Sequence, residues 1–193
     1  MIDFVFPNGN EKEFLNLSNE LGFSKLYFIY NLNNFPSTTF TGSENIILCS
    51  SKDIIKAKRK AKLVLVESSD SNRNVIEKMP FDIIFNLEND SKKDLTHSKR
   101  SGLNQVLCKL LSKKNKIVGF NFNSLLKSNK GLRVVNMGRM VQNVKFCRKF
   151  KVKMLIASFA KKPFEMRAAH DLIAFGISLG MHPKDAKSSL NSF

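Results

Sequence analysis

The sequence predicts a TIM-barrel-like α/β fold, with about seven mainly parallel strands and surrounding helices in a single domain over residues 1–193. Three observations carry this. Short apolar runs rich in β-branched and aromatic residues recur at even spacing along the chain. Their hydrophobicity is continuous rather than alternating, as expected of strands covered on both faces. Helical periodicities lie between several of them. An open doubly wound sheet would produce much the same pattern, so periodicity alone leaves closure of the barrel undecided.

In order, the strand candidates are "IDFVF" (2–6), "KLYFIYNL" (25–32), "NIILCSS" (45–51), "KLVLVES" (62–68), "FDIIFNL" (81–87), "KIVGFNF" (116–122) and "KMLIASF" (153–159). Between the fifth and sixth, Leu103, Val106, Leu107, Leu110 and Leu111 follow the three- and four-residue steps of one buried helix face, leaving Lys109, Lys113 and Lys114 outside. From Gly131 to Phe150, Val134, Met137, Val141, Val144 and Cys147 form a similar stripe, with Arg133, Arg139, Arg148 and Lys149 placed outward. A further helix is expected over residues 164–179, with Ala169, Leu172, Ile173 and Gly176 as its seam. "HPKDAKSSL" (182–190) reads as a short closing helix with Pro183 in its first turn. "ENDSKKDLTHSKRSG" (88–102) is the longest polar connection and is expected to be flexible.

Charge narrows the function. The chain carries 32 Lys and Arg against 16 Asp and Glu, a formal net charge of +16. Residues 1–96 hold 12 basic and 13 acidic side chains, whereas residues 97–193 hold 20 basic and three acidic ones, Glu165, Asp171 and Asp185. Halves of about −1 and +17 point to one side that faces a polyanion. No run approaches the ~18 apolar residues of a membrane span, and no basic leader precedes an apolar block, so a cytoplasmic protein without membrane contact is expected. Cys49, Cys108 and Cys147 are odd in number, widely spaced and set in apolar patterns, as reduced core thiols would be.

The catalytic inventory is thin. His97, His170 and His182 have no metal-ligand spacing, and HExxH, CxxC, GxGxxG after a strand and GxSxG are all absent. Asp3, Glu67 and Glu88 are acidic residues at or near strand ends, but a two-metal hydrolase needs several converging ligands. No catalytic residue and no metal site are assigned. Phosphate contact is better represented. Lys161 and Lys162 precede a predicted helix N-terminus, which favours anions, and Arg167 follows them, with Asp171 four residues on as a pairing partner. Lys99 and Arg100 lie in the polar loop, with His97 as a further functional candidate; "KAKRKAK" (56–62) reads first as a solvated helix face.

"IASFAKKPFEMRAAHDLIAFGISLGMHPKDAKSSL" (156–190) resembles the ribonuclease P protein component 3 family. The matching features are Ser158 at a strand end, the triplet Glu165-Met166-Arg167, Asp171-Leu172, Gly176, Gly180-Met181 and Asp185-Ala186-Lys187. The resemblance extends to "SGLNQVLCKLLSKKNKIVGFNFNSLLKS" (101–128), although Gln105 stands where some relatives have His. The sequence ends at Phe193 without the long basic tail of eukaryotic relatives, so a chain of archaeal type is expected.

The resemblance implies a barrel similar to the polymerase and histidinol phosphatase (PHP) superfamily, without the His-x-His metal motif in its first strand. It implies a protein subunit of ribonuclease P, the ribonucleoprotein that removes 5′ leaders from precursor tRNA. The chain would bind no cofactor, the Mg²⁺ being held by the RNA subunit, and would not be catalytic alone. Its expected partners are the ribonuclease P RNA, protein component 2 in a two-plus-two heterotetramer, the other ribonuclease P proteins and, indirectly, precursor tRNA. Lys114, Lys149, Arg167 and Lys187 match basic positions of the family, joining Lys99, Arg100, Lys161 and Lys162 as expected RNA contacts. The competing readings are a stand-alone metal-dependent phosphoesterase and a general RNA-binding scaffold.

Overall fold

The computed structural model describes residues 1–90 and 93–191. Seven strands, β1 (Ile2–Val5), β2 (Lys25–Asn31), β3 (Ser43–Cys49), β4 (Val64–Glu67), β5 (Ile83–Phe85), β6 (Ile117–Asn121) and β7 (Lys153–Ala157), lie side by side in chain order. Every neighbouring pair is parallel. Each strand falls within or beside one of the seven apolar runs, because a strand buried on both faces leaves the most legible signal a sequence can carry. Around them run α1 (Glu11–Glu20), α2 (Ile54–Lys60), α3 (Asn72–Lys78), α4 (Gln105–Lys113), α5 (Phe122–Lys127), α6 (Lys130–Phe150), α7 (Ala169–Ser178) and α8 (Pro183–Ser188).

The sheet curls until β7 meets β1, and a side chain makes much of that seam. Val5 and Ala160 form a single bridge, with Phe6 N–H donating to the Ala160 carbonyl at 2.8 Å. Beside it the fully buried Asp3 carboxylate accepts from Ser158 N–H at 2.7 Å and from the Ser158 hydroxyl at 2.5 Å. The same carboxylate accepts from Phe4 N–H at 2.9 Å. At the other end of β1, Ile2 N–H donates to the Leu190 carbonyl just beyond α8. Asp3 and Ser158 thus close a sheet whose edge donors would otherwise be unpaired.

Two apolar layers follow from closure. Outside, one core lies between strands and helices. Inside, Phe4 stacks on Tyr27 at 4.6 Å and Phe85 on Phe159 at 4.8 Å between centroids. These rings fill the barrel, as barrel interiors require. Gly119 makes room for them: a Cβ there would stand 3.0 Å from Phe85 Cβ. Gly176, part of the C-terminal signature, has a packing role, since a Cβ would lie 2.3 Å from Ile156 Cδ1 and 3.2 Å from Ala186 Cβ. Gly180, at φ 92°, turns the chain so that Met181 N–H returns to the Gly176 carbonyl.

Three helix expectations need correction. In α4, Val106 is exposed and Cys108 buried, because the helix begins after its Asn104 cap and not at Leu103. In α6 the predicted stripe fails in its first half: Val134 and Met137 are exposed, while Asn136, Arg139 and Asn143 point inward. The reason is the 88–102 connection, which packs beneath α6 and presents backbone groups that need polar partners. Arg139 donates to the carbonyls of Glu88 at 2.9 Å and Asp90 at 2.7 Å, and pairs with Asp94 at 2.8 Å. Asn136 donates to Asn89, and Asn143 to the Ser101 carbonyl. The described part of the expected flexible loop is therefore pinned; residues 91 and 92 lie outside the described residues. Third, the helix expected over 164–179 is two elements: a 3₁₀ turn at Pro163–Glu165, then α7 from Ala169.

Candidate nucleic-acid interface

A barrel of parallel strands has two ends, and strand direction assigns the candidate residues between them. At the mouth, the C-terminal ends of β4, β5 and β6 carry a chain of polar side chains. Asn121 donates to Asn86 at 2.9 Å, and Asn86 donates to Glu67 at 2.7 Å. Asn86 sits at φ 58°, a left-handed conformation that Asn tolerates better than most residues. Phe159 follows Ser158 at φ 50° and lays its ring across the barrel axis side.

The turn at residues 160–167 does not leave its backbone donors open for an external phosphate. Glu165 fills the slot: its Oε2 accepts from Lys161 N–H at 2.8 Å, Lys162 N–H at 3.3 Å and Asn123 Nδ2 at 3.1 Å. Its Oε1 pairs with Lys127 at 2.8 Å. Burial works upward on this carboxyl, but Lys127 and these hydrogen bonds hold it below its ordinary value. Lys161 and Lys162 remain exposed at the mouth, beside a 3₁₀ turn rather than the predicted helix N-terminus. Arg167 does not pair with Asp171, whose carboxylate faces His170 at 3.1 Å. It donates to the Phe164 and Met166 carbonyls and lies over the Phe122 ring at 5.6 Å.

Lys99 and Arg100 extend from the loop after β5. Lys99 reaches the Gly138 carbonyl on α6 at 3.3 Å, and Arg100 reaches the Lys93 carbonyl at 3.1 Å. Burial raises the Asp94 carboxyl, but the Arg100 N–H and the Arg139 guanidinium outweigh it and hold the group below its ordinary value. His97 is exposed in the turn closed by the Leu95–Ser98 bridge. Among the described residues, none joins it in a cluster of His, Cys, Asp or Glu side chains.

Lys114, Lys149 and Lys187 lie at the opposite end, the base. Lys114 donates to the Glu77 carbonyl, Lys149 lies over the Phe150 ring, and Lys187 is exposed on α8. Here structure adds residues that sequence reasoning missed. Arg148, Lys151 and Lys153 line a groove of about 790 Å³ with Met154, Asp185 and Ser188. The ammonium groups of Lys151, Lys153, Lys184 and Lys187 have no protein partner among the described residues. Asp185 is the one acid among the described residues that line this groove. Lys151 occupies φ 55° at the end of α6, where glycine is the usual residue.

Metal chemistry at the mouth does not suit these side chains. Glu67 is bonded to an amide, Asp3 is committed to the seam, and Glu88 is buried behind the Arg139 site. Burial pushes Asp3 and Glu88 up to about 7 against their hydrogen bonds and, for Glu88, against the Arg139 charge. No group of three His, Cys, Asp or Glu side chains converges among the described residues. Neutral carboxamides are poor substitutes for the imidazole and carboxylate ligands of a zinc site.

The RNase P subunit p30 family model matches residues 50–192. Ribonuclease P protein component 3 of Methanococcoides burtonii is 34% identical over 108 residues, 54% of this chain and 45% of that protein. Its namesake in Thermococcus gammatolerans is 30% identical over 90 residues, 47% and 42% of the two chains. The matched stretch thus spans somewhat under half the length of these relatives. Among solved structures, a chain of an archaeal ribonuclease P with mature tRNA superposes with a TM-score of 0.81 at 22% identity, over 99% of this chain and 87% of that one. Histidinol phosphate phosphatase of Lactococcus lactis, complexed with zinc, L-histidinol and phosphate, superposes with a TM-score of 0.62 at 8% identity, over 94% of both. At these identities the structures establish the fold, a TIM-barrel-like α/β barrel, and the match over residues 50–192 establishes the family: this chain belongs to the RNase P subunit p30 family.

Proposed function

We propose that this chain is a protein subunit of ribonuclease P that supports the catalytic RNA in 5′ processing of precursor tRNA and performs no chemistry alone. Its family membership over residues 50–192 carries the reading. The base supports it, because cations without protein partners neutralise phosphates whatever the base sequence. Structured RNA is read largely through its backbone and 2′-hydroxyls, its major groove being too deep and narrow for side chains. The donor set at the mouth supports leaving the catalytic Mg²⁺ to the RNA.

Protein component 2 is the proposed protein partner, in a two-plus-two heterotetramer with this chain. The outward apolar side chains of α6, Leu132, Val134 and Val135, are the surface that best suits a protein neighbour. Three buried free thiols favour a reducing compartment such as the cytoplasm, and among the described residues no helix is long and apolar enough to cross a membrane.

The test is reconstitution of precursor-tRNA cleavage from ribonuclease P RNA and its protein subunits with and without this chain. Stimulated cleavage at the 5′ leader junction is expected. No stimulation, or hydrolysis of a generic phosphoester by the chain with Mn²⁺ or Zn²⁺ and no RNA, would overturn the proposal.

A further inference from the structure

We infer that the mouth of the barrel binds a single unpaired nucleotide, with its base in the central cavity and its phosphate at Lys161. The site deepens the proposed function and rests on the reading that this chain works on RNA. The cavity has a volume of about 620 Å³, within the range of about 300–1,000 Å³ common for small-molecule sites. Its wall includes the half-buried Phe6 ring, 6.3 Å from Phe159 of the Phe85–Phe159 stack, and aromatic surface is what an unstacked base needs.

Around the rim stand Asn8, Asn31 and Asn34, whose carboxamides have no protein partner among the described residues. They contrast with Asn86 and Asn121 below, which are bonded to one another. A free carboxamide presents a donor and an acceptor side by side, the pattern that matches a base edge.

The anion subsite follows from how Glu165 is used. Its two oxygens are occupied by Lys127, Asn123 and the backbone N–H groups of Lys161 and Lys162, and among the described residues the Lys161 ammonium has no carboxylate. That ammonium lies 6.0 Å from the centre of the Phe6 ring, at the cavity edge. A phosphate there would sit beside a base stacked in the cavity. Inorganic phosphate would engage Lys161 and leave rings and amides unused; a paired base would first have to be unstacked and unpaired, at a cost of roughly a few kcal/mol, so an already unpaired one is favoured. The occupant is therefore an unpaired nucleotide, from a single-stranded RNA segment or free in solution.

The test is titration of the isotope-labelled full chain, followed by amide NMR, with nucleoside 5′-monophosphates, nucleosides, inorganic phosphate, and single-stranded and duplex RNA of equal length. Monophosphates and single strands should shift the signals of Asn8, Asn31 and Asn34. Lys161→Ala should weaken monophosphate binding about tenfold, the loss of one charge-assisted contact, and leave nucleoside binding unchanged. Asn31→Ala, at an exposed position, should weaken both. Tighter binding of the single strand would identify RNA as the source, and equal binding a free nucleotide. Equal shifts with inorganic phosphate, unaltered binding in both variants, or a mouth silent to every nucleotide would each overturn the site. Failed reconstitution of cleavage with nucleotides still bound at the mouth would defeat the proposed function alone; successful reconstitution with a silent mouth would defeat the site alone.

Discussion

Replacing Asp3 by Asn tests the seam of the barrel. The carboxylate is fully buried and accepts from Ser158 N–H, the Ser158 hydroxyl and Phe4 N–H. Burial raises its pKa from 3.8 to about 7. The folded protein therefore holds this proton more tightly than the unfolded chain. Its stability must fall as pH rises from roughly 4 to 7, because the native state increasingly carries a buried charge or pays to keep the proton. That rise corresponds to at most about 4 kcal/mol. Glu88, raised from 4.5 to about 7, adds to the fall in the same window.

Asn keeps the acceptor for both N–H groups and can donate to Ser158 Oγ, so the seam survives without a titrating group. Urea unfolding across pH 4.5 to 8 should show a drop of several kcal/mol in the wild type and a drop smaller by about 2–4 kcal/mol in Asp3→Asn. Asp3→Ala should be destabilised at every pH by about 1–3 kcal/mol for each buried donor left unpaired. Identical pH slopes in wild type and Asp3→Asn would refute the buried proton. Equal stability of Asp3→Ala and Asp3→Asn would refute the clasp.

Other predictions follow from single features. Arg139→Met removes the group that holds Asp94 and two loop carbonyls; a loss of about 3–5 kcal/mol with new proteolysis within residues 88–102 is expected, and a change under about 1 kcal/mol would show that the loop is held by other contacts. Gly102→Ala would place Cβ 2.3 Å from the Leu87 carbonyl oxygen at φ 81°, and should cost about 3 kcal/mol or more in thermal or urea unfolding. Lys151→Gly should separate stability from function: relief of a left-handed backbone at φ 55° should raise stability by about 1 kcal/mol. The same change should weaken RNA binding and lower its salt slope by about 1, and an unchanged slope would remove Lys151 from the interface. The cysteines should resist alkylation until the protein unfolds, because burial pushes Cys49 and Cys108 up to about 11 and Cys147 higher still.

Legibility in the sequence tracked how much of a residue's environment is local. The seven strands were readable because each is apolar on both faces, and that pattern survives in one dimension. The closing turn of α7 and α8 was readable from Gly180, Met181 and Pro183. The first half of α6 was not: Val134 and Met137 have the right spacing for a core, yet Arg139 and Asn143 take that face because a loop some forty residues upstream packs there. Arg167 and Asp171 have the spacing of a helical pair, but α7 begins only at Ala169, between them, and the pair does not form. α1, α2, α3 and α5 carry weaker periodicity and emerge only from the strands they cover.

By itself, then, the sequence determined the strand repertoire, the α/β class, the lack of a catalytic inventory, the strong asymmetry of charge and the family signature, all of which depend on residue type and order along the chain. Closure through Asp3 and Ser158, the division of the candidate cations between mouth and base, and the use of Glu165 to fill its own turn were decided by the tertiary structure. Each depends on which distant segments meet, and neither spacing nor composition encodes that meeting.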